Sequence, residues 1–199
     1  MSGWSNGGGP RATRSLAVPE GRSHFWEFSL TVYGAPGVQE ECLLLQDRYG
    51  VDINMLLFCA YVGAIYGALL SDRDVLAAVA AAGEWNATIV GNLREARRAL
   101  KPFAADLSAT GALAAALRTA VKAAELEAER IEQMMLEAWS ASRLEAWPRA
   151  QPETAVAANI AALLANHAIA ACQPDLTSHL TAAALAGPRP SGPEGGGRR

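Results

Sequence analysis

The stretch DINMLLFCAYVGAIYGALLSD, Asp52 to Asp72, decides the fold. Between its two aspartates, Met55 to Leu70 runs sixteen residues without a charge, short of the roughly 20 needed to cross a hydrocarbon layer. A helix that is apolar on every face must be surrounded by other helices. Asp52 is placed to cap it, since an aspartate at that position accepts backbone N–H bonds that otherwise end unsatisfied. Ala60, Gly63, Ala64, Gly67 and Ala68 form a smooth side at helical spacing, and Phe58, Tyr61, Val62, Ile65 and Leu69 a bulky one. The Gly63-x-x-x-Gly67 pair then permits a close helix crossing.

Upstream, Ser23 caps a helix to Tyr33 with Phe25, Phe28 and Val32 on one face, and Gly34-Ala35-Pro36-Gly37 stops it. A second helix is expected to open with Pro36 in its first turn, to carry Glu40 and Glu41 near its positive end, and to stop at Gly50. Downstream, Ser71-x-x-Asp74 is a capping box for a fourth helix ending at Gly83, and a fifth runs from Glu84 to about Lys101, before Pro102. The longest helix spans about Gly111 to Ser140. In it Leu117, Val121, Ala124, Ala128, Ile131, Met135 and Ala138 alternate four and three apart, the spacing of a seam that packs a long partner helix. That partner lies either in this chain or in a second copy of it. Pro152 starts a further helix to about Cys172, with Val156, Ile160, Leu163 and His167 on its apolar face, and Pro174-Asp175 opens a last one to about Ala186.

The expected fold is therefore all-α: a compact bundle of about seven or eight helices with a central apolar helix and a long C-terminal helical hairpin. Residues 23–186 are expected to form a single domain between disordered tails at 1–22 and 187–199, rich in Gly, Pro and Arg. The first tail has no apolar run that would serve as a signal peptide. A net charge of -3 gives no long-range attraction to nucleic acid, and no membrane span is expected. Cys42, Cys59 and Cys172 are odd in number and sit in apolar helical patterns, which points to free thiols in a reducing cytoplasm.

Signatures of catalysis are missing: no nucleophile elbow, phosphate loop, dinucleotide fingerprint or His-Glu-x-x-His pair occurs, and no cofactor is expected. His167 and His179, with Cys172 between them, are a weak metal set, better read as a helix-face and an exposed histidine. Glu125, Glu129 and Glu132 share a helix face, read here as solvated charge. Arg94, Arg97, Arg98 and Lys101 form a basic stripe that suits the negative end of its helix and would also dock an acidic partner. From Gln46 to Asn54 several polar residues lie between two apolar runs. Asp47, Asp52 and Asn54 there suit capping and loop ordering better than a calcium loop, for which Gly50 is misplaced.

Phe25-Trp26-x-Phe28-Ser29-Leu30, Tyr33, Pro36-Gly37-Val38, Cys42-Leu43, Leu45-Gln46-Asp47 and Gly50-x-Asp52-x-Asn54-x-Leu56-Leu57-Phe58 resemble, in order, a family of uncharacterised bacterial proteins, a domain of unknown function. The resemblance covers about residues 24–67, with Tyr61 where a tryptophan is expected. It implies a bacterial, cytoplasmic, single-domain protein and brings no activity or catalytic residue.

Two functions compete. One is a non-enzymatic accessory or regulatory protein acting through protein–protein interaction, with the basic stripe as its docking face. The other is a small-molecule or lipid-binding bundle, with or without an enzymatic step, walled by Trp26, Tyr33, Tyr61 and Tyr66 and anchored by Asp52 or Asn54. The segment expected to touch a ligand or partner comprises Trp26, Gln46, Asp47, Asp52, Asn54 and Tyr61.

Overall fold

In a computed structural model of the protein, residues 23–169 and 176–187 are described. They form α1 (His24–Tyr33), α2 (Val38–Tyr49), α3 (Ile53–Tyr66), α4 (Asp72–Trp85), a π-helical turn (Asn86–Val90), α5 (Gly91–Ala99), α6 (Lys101–Ala104), α7 (Ala109–Ala141), α8 (Pro152–Asn166) and α9 (Ser178–Ala186). Among the described residues there is no strand, only an isolated antiparallel bridge between Ala68 and Arg149. The fold is all-α, and no described helix is long and apolar enough to cross a membrane.

Local chemistry sets most of the boundaries. Ser23, Asp52, Ser71 and Ser108 each accept a backbone N–H from the first turn of α1, α3, α4 and α7, and Ser71 with Asp74 completes the capping box. Gly50 and Gly67 close α2 and α3 in the left-handed conformation, at φ 68° and 58°. The apolar helix thus stops at Tyr66 rather than reaching Leu70, and the chain after it runs extended. Leu69 N–H donates to the Pro148 carbonyl (2.9 Å), Ala150 N–H to that of Gly67 (2.8 Å), and Leu70 N–H to Asn159 Oδ1 (2.8 Å). Asn159, fully buried, returns its amide to the carbonyls of Cys59 and Ala68, so this non-helical backbone is satisfied inside the core.

Three expected boundaries move. Pro36 lies in the turn before α2, whose cap is Gly37. Gly83 does not end α4: it keeps a negative φ, and the helix continues through the π turn into α5. A glycine stops a helix only when the chain turns left-handed there, and packing of the whole run against α7 holds it helical. Pro102 stands in the first turn of α6, where its missing N–H costs nothing. The expected end of α8 near Cys172, the Pro174-Asp175 start of the last helix, and both tails lie outside the described residues; α8 is described to Asn166.

The core is centred on α3, in which every residue from Asn54 to Ala64 is buried. Helix α8 crosses it closely because Gly63 has no side chain: a Cβ there would stand 2.6 Å from the backbone nitrogen of Val156. Phe25, Phe28 and Val32 of α1 close another side, with Phe25 stacked on Tyr61 at 5.0 Å between ring centres. The long helix finds its antiparallel partner within the chain, in the run α4 to α6. Rungs between them pair Asn86 with Glu132, Arg94 with Glu129 and Glu125, and Arg97 with Glu125.

The inward face of α7 is rotated by about one residue from the apolar seam. It carries Glu125, Ala128, Glu132, Gln133, Leu136 and Ser140, whereas Leu117, Ala124, Met135 and Ala138 are exposed and Val121 and Ile131 half-buried. The expectation of solvated glutamates is overturned for Glu125 and Glu132, which are 5% and 0% exposed.

Candidate functional site

The inward rotation of α7 puts a carboxyl deep in the bundle. A buried carboxylate is tolerated only when neighbours supply donors or a proton. Glu132 receives both. Its Oε2 accepts from Asn54 Nδ2 (2.8 Å), and Asn86 Nδ2 reaches both oxygens at 3.1 Å. Asn86 gets there because it opens the π turn, one of the helix distortions that often mark functional positions. Burial pushes Glu132 up to about 8, with the nearby charge of Asp52 adding to the effect, so at pH 7 it holds a proton. A side-chain hydrogen bond joins Glu132 to Asp52, whose own carboxyl burial also raises. Asp52 meanwhile caps α3 through Asn54 N–H at 2.8 Å, so one carboxyl ends the central helix and backs the acid behind it.

The polarity of this network propagates to its end. Asn54 turns its NH2 to Glu132 and therefore presents its carbonyl oxygen to Gln133, which donates from Nε2 at 2.8 Å. Gln133 is left with its own carbonyl oxygen unpartnered, although the residue is 2% exposed. Ser29 of α1, 3% exposed, likewise has a buried hydroxyl without a partner. Both residues line one pocket of about 140 Å³, walled by Trp26, Leu30, Tyr33, Ile53, Leu57 and Leu126 and edged by Asp52, Asn54, Arg94 and Glu129. A wider groove of about 350 Å³ continues outward past Tyr33, Ile53, Arg94, Leu126 and Glu129 to Gln46, Arg97 and Lys122.

The basic stripe divides. Arg94 donates from Nε to Glu125 (3.1 Å) and from Nη2 to Glu129 (2.8 Å), and Arg97 holds Glu125 from both Nε and Nη2. Burial raises Glu125 but the two guanidiniums outweigh it and hold the carboxyl below its ordinary range; at Glu129 burial prevails and the carboxyl is raised. Arg98 and Lys101 face solvent, Arg98 with a contact of 3.5 Å to exposed Asp47.

Trp26, Asp52 and Asn54 therefore meet at one pocket, and Gln46 lines the groove beside it. Asp47 stands apart on the surface. Tyr61 belongs to the core, where its hydroxyl meets those of Tyr66 (3.1 Å) and the carboxylate of Glu137 (3.4 Å). Glu137 also accepts from Ser23 Oγ (2.6 Å) and Phe25 N–H (3.3 Å), an acid from α7 set on the first turn of α1.

Sequence reasoning missed Glu132, Gln133, Asn86 and Ser29. A glutamate at helical spacing with two others reads as a solvated face, and nothing local to residues 125–133 announces that α4 and α5 will cover it. The histidine and thiol sets offer little chemistry. Glu41, a buried acid of α2, accepts from the backbone N–H groups of His179 and Leu180, both at 2.9 Å, and from His179 Nδ1. His167 is half-buried, Cys172 is outside the described residues, and no group of three metal-ligating side chains occurs among the described ones. Burial pushes the Cys42 and Cys59 thiols up to about 12, far from nucleophilic thiolates.

A family profile described as a protein of unknown function (DUF2390) matches residues 24–136, more than half of the chain. No curated protein and no solved structure matches it.

Proposed function

We propose that this chain, which belongs to the family of proteins of unknown function (DUF2390), works by holding a small molecule in the pocket between α1, the start of α3, α5 and α7. One observation carries the reading: Ser29 Oγ and Gln133 Oε1 are buried and unpartnered, and both residues line the same pocket. Native interiors leave few such atoms unsatisfied, because each costs about 1–3 kcal/mol. A pocket with aromatic walls and a few convergent polar groups is the usual form of a ligand site. At about 140 Å³ it suits a compact molecule rather than a lipid chain, being close to the cavity of about 150 Å³ that accepts benzene. Trp26, Asp52, Asn54, Arg94 and Gln133 all fall within the matched residues 24–136. A cytoplasmic setting belongs to this reading, supported by the unpaired thiols Cys42 and Cys59.

The test is a ligand-observed NMR fragment screen on the full chain and on Leu126→Trp. Leu126 lines the pocket and is half exposed, so a larger ring there fills the pocket without touching the polar network. Fragments that bind the natural chain and are lost from the variant support the reading. A library with no such fragment refutes it.

A second reading, protein–protein interaction, has its own observation. Phe103, Leu107, Leu113 and Leu117 are 65%, 102%, 71% and 54% exposed at the turn joining α6 to α7. Arg98 and Lys101 precede this apolar end, and Leu117 begins the heptad-like seam. Sedimentation showing a monomer at all concentrations, together with an unchanged profile for Leu113→Lys, would leave self-association without support.

A further inference from the structure

We propose that the occupant of this pocket is a small organic cation, a guanidinium or primary ammonium compound of about four to eight heavy atoms, seated on acceptor oxygens between the rings of Trp26 and Tyr33. The inference rests on the pocket being a ligand site and adds the chemistry of the ligand.

The groups that face the pocket decide its sign. Gln133 offers a carbonyl oxygen, because the chain of amides behind it runs in one direction: Asn54 must give its NH2 to Glu132, so Gln133 must give its NH2 to Asn54. Asp52 offers the edge of its carboxylate, and Glu129 the oxygen that Arg94 leaves free. Several donors nearby are engaged, the Ser29 hydroxyl excepted. Asn54 N–H, the one that a helix start would turn to an anion, is held by Asp52. The fork of Arg94 is divided between Glu125 and Glu129, and Arg97 is closed on Glu125. At the pocket itself two carboxylates, Asp52 and Glu129, stand with one guanidinium, Arg94, which is already held by Glu125 and Glu129. An anion entering here meets excess negative charge and oxygen acceptors. A cation brings the N–H donor that the Gln133 carbonyl lacks and can give another to the Ser29 oxygen, and the aromatic rings of Trp26 and Tyr33 at the pocket suit a cation–π contact.

Three probes of nearly equal shape separate charge from fit: methylguanidinium, neutral N-methylurea and the acetate anion. Each is titrated into the full chain while the Trp26 indole N–H resonance is followed by NMR, on the natural protein and on Asp52→Ser, which keeps a capping oxygen. Methylguanidinium is expected to saturate the Trp26 shift at a concentration at least tenfold below N-methylurea, with acetate inert. Asp52→Ser should weaken methylguanidinium at least tenfold and N-methylurea less than about twofold. N-methylurea or acetate binding as tightly as the cation would overturn the assignment of charge while leaving the pocket a binding site. A methylguanidinium shift that never saturates, or that survives in Leu126→Trp, would also overturn it. If none of the three moves Trp26, the fragment screen decides: pocket-dependent hits that are cationic support the inference, neutral or anionic ones sink it alone, and an empty screen sinks both readings.

Discussion

Replacing Glu132 by Gln isolates the buried acid from its shape. The new amide keeps an oxygen to accept from Asn54 and Asn86, and its NH2 takes over the donation to Asp52 that the acid's proton makes. Only the titration is removed. In the folded protein Glu132 holds its proton up to about pH 8 instead of the ordinary 4.5, so over that interval the folded state binds a proton the unfolded chain has released. Stability from this group is therefore fully present below about pH 4.5 and is lost as pH rises to about 8. At about 1.4 kcal/mol per tenfold the ceiling is about 5 kcal/mol. Because Glu132 is hydrogen-bonded to Asp52 and the site relaxes on ionisation, about 2–4 kcal/mol is expected. Asp52 and Glu129, both raised, act in the same direction, whereas the lowered Glu125 acts oppositely and only in acid. Urea unfolding at intervals from pH 5 to 9 should show wild-type stability falling by at least that amount and Glu132→Gln falling less, by the share that Asp52 and Glu129 keep, with the variant the more stable at pH 9. Wild-type stability that stays level or rises from pH 5 to 9 would refute the account of a buried neutral acid. So would a variant weakened equally at every pH, since that would mean the carboxyl acts through packing alone.

Asp52→Ala should cost about 0.5–2 kcal/mol in chemical denaturation, and Asp52→Ser should recover most of it, because a hydroxyl also accepts Asn54 N–H; equal losses in the two variants would contradict the capping role. Gly63→Ala forces a Cβ to 2.6 Å from backbone of α8 that cannot swing aside, and a melting curve should report a loss of about 1–3 kcal/mol or more. Gly83→Ala is the converse, with nothing within 4 Å of the added carbon, and should stabilise by about 0.5–1 kcal/mol. Glu41→Ala strips the carboxylate from the start of α9 and should cost about 1–3 kcal/mol, read as faster hydrogen exchange in Leu180 to Ala186 than in α3.

What the sequence determined by itself were the features that depend on neighbours a few residues away. Ser23, Asp52 and Ser71 cap helices because a side-chain oxygen two or three residues from an open N–H reaches it in any tertiary setting. The burial of α3 was equally legible, since a helix without a polar face has only one stable environment. Trp26 stands out in the sequence as a candidate aromatic wall, and Asp52 and Asn54 as polar residues between two apolar runs, and all three line the pocket. What only the tertiary structure decided was which way α7 faces. Its apolar seam and its glutamates lie about one residue, or 100°, apart on the same helix, and both are compatible with the sequence. The ladder of Asn86, Arg94 and Arg97 supplied by α4 to α5, continuous through Gly83 and the π turn, turns the glutamates inward and leaves Leu117 and Met135 outside. A stop signal at one glycine and a seam of modest alanines are each worth about a kilocalorie or less, and the many contacts between two helices of this length outweigh them.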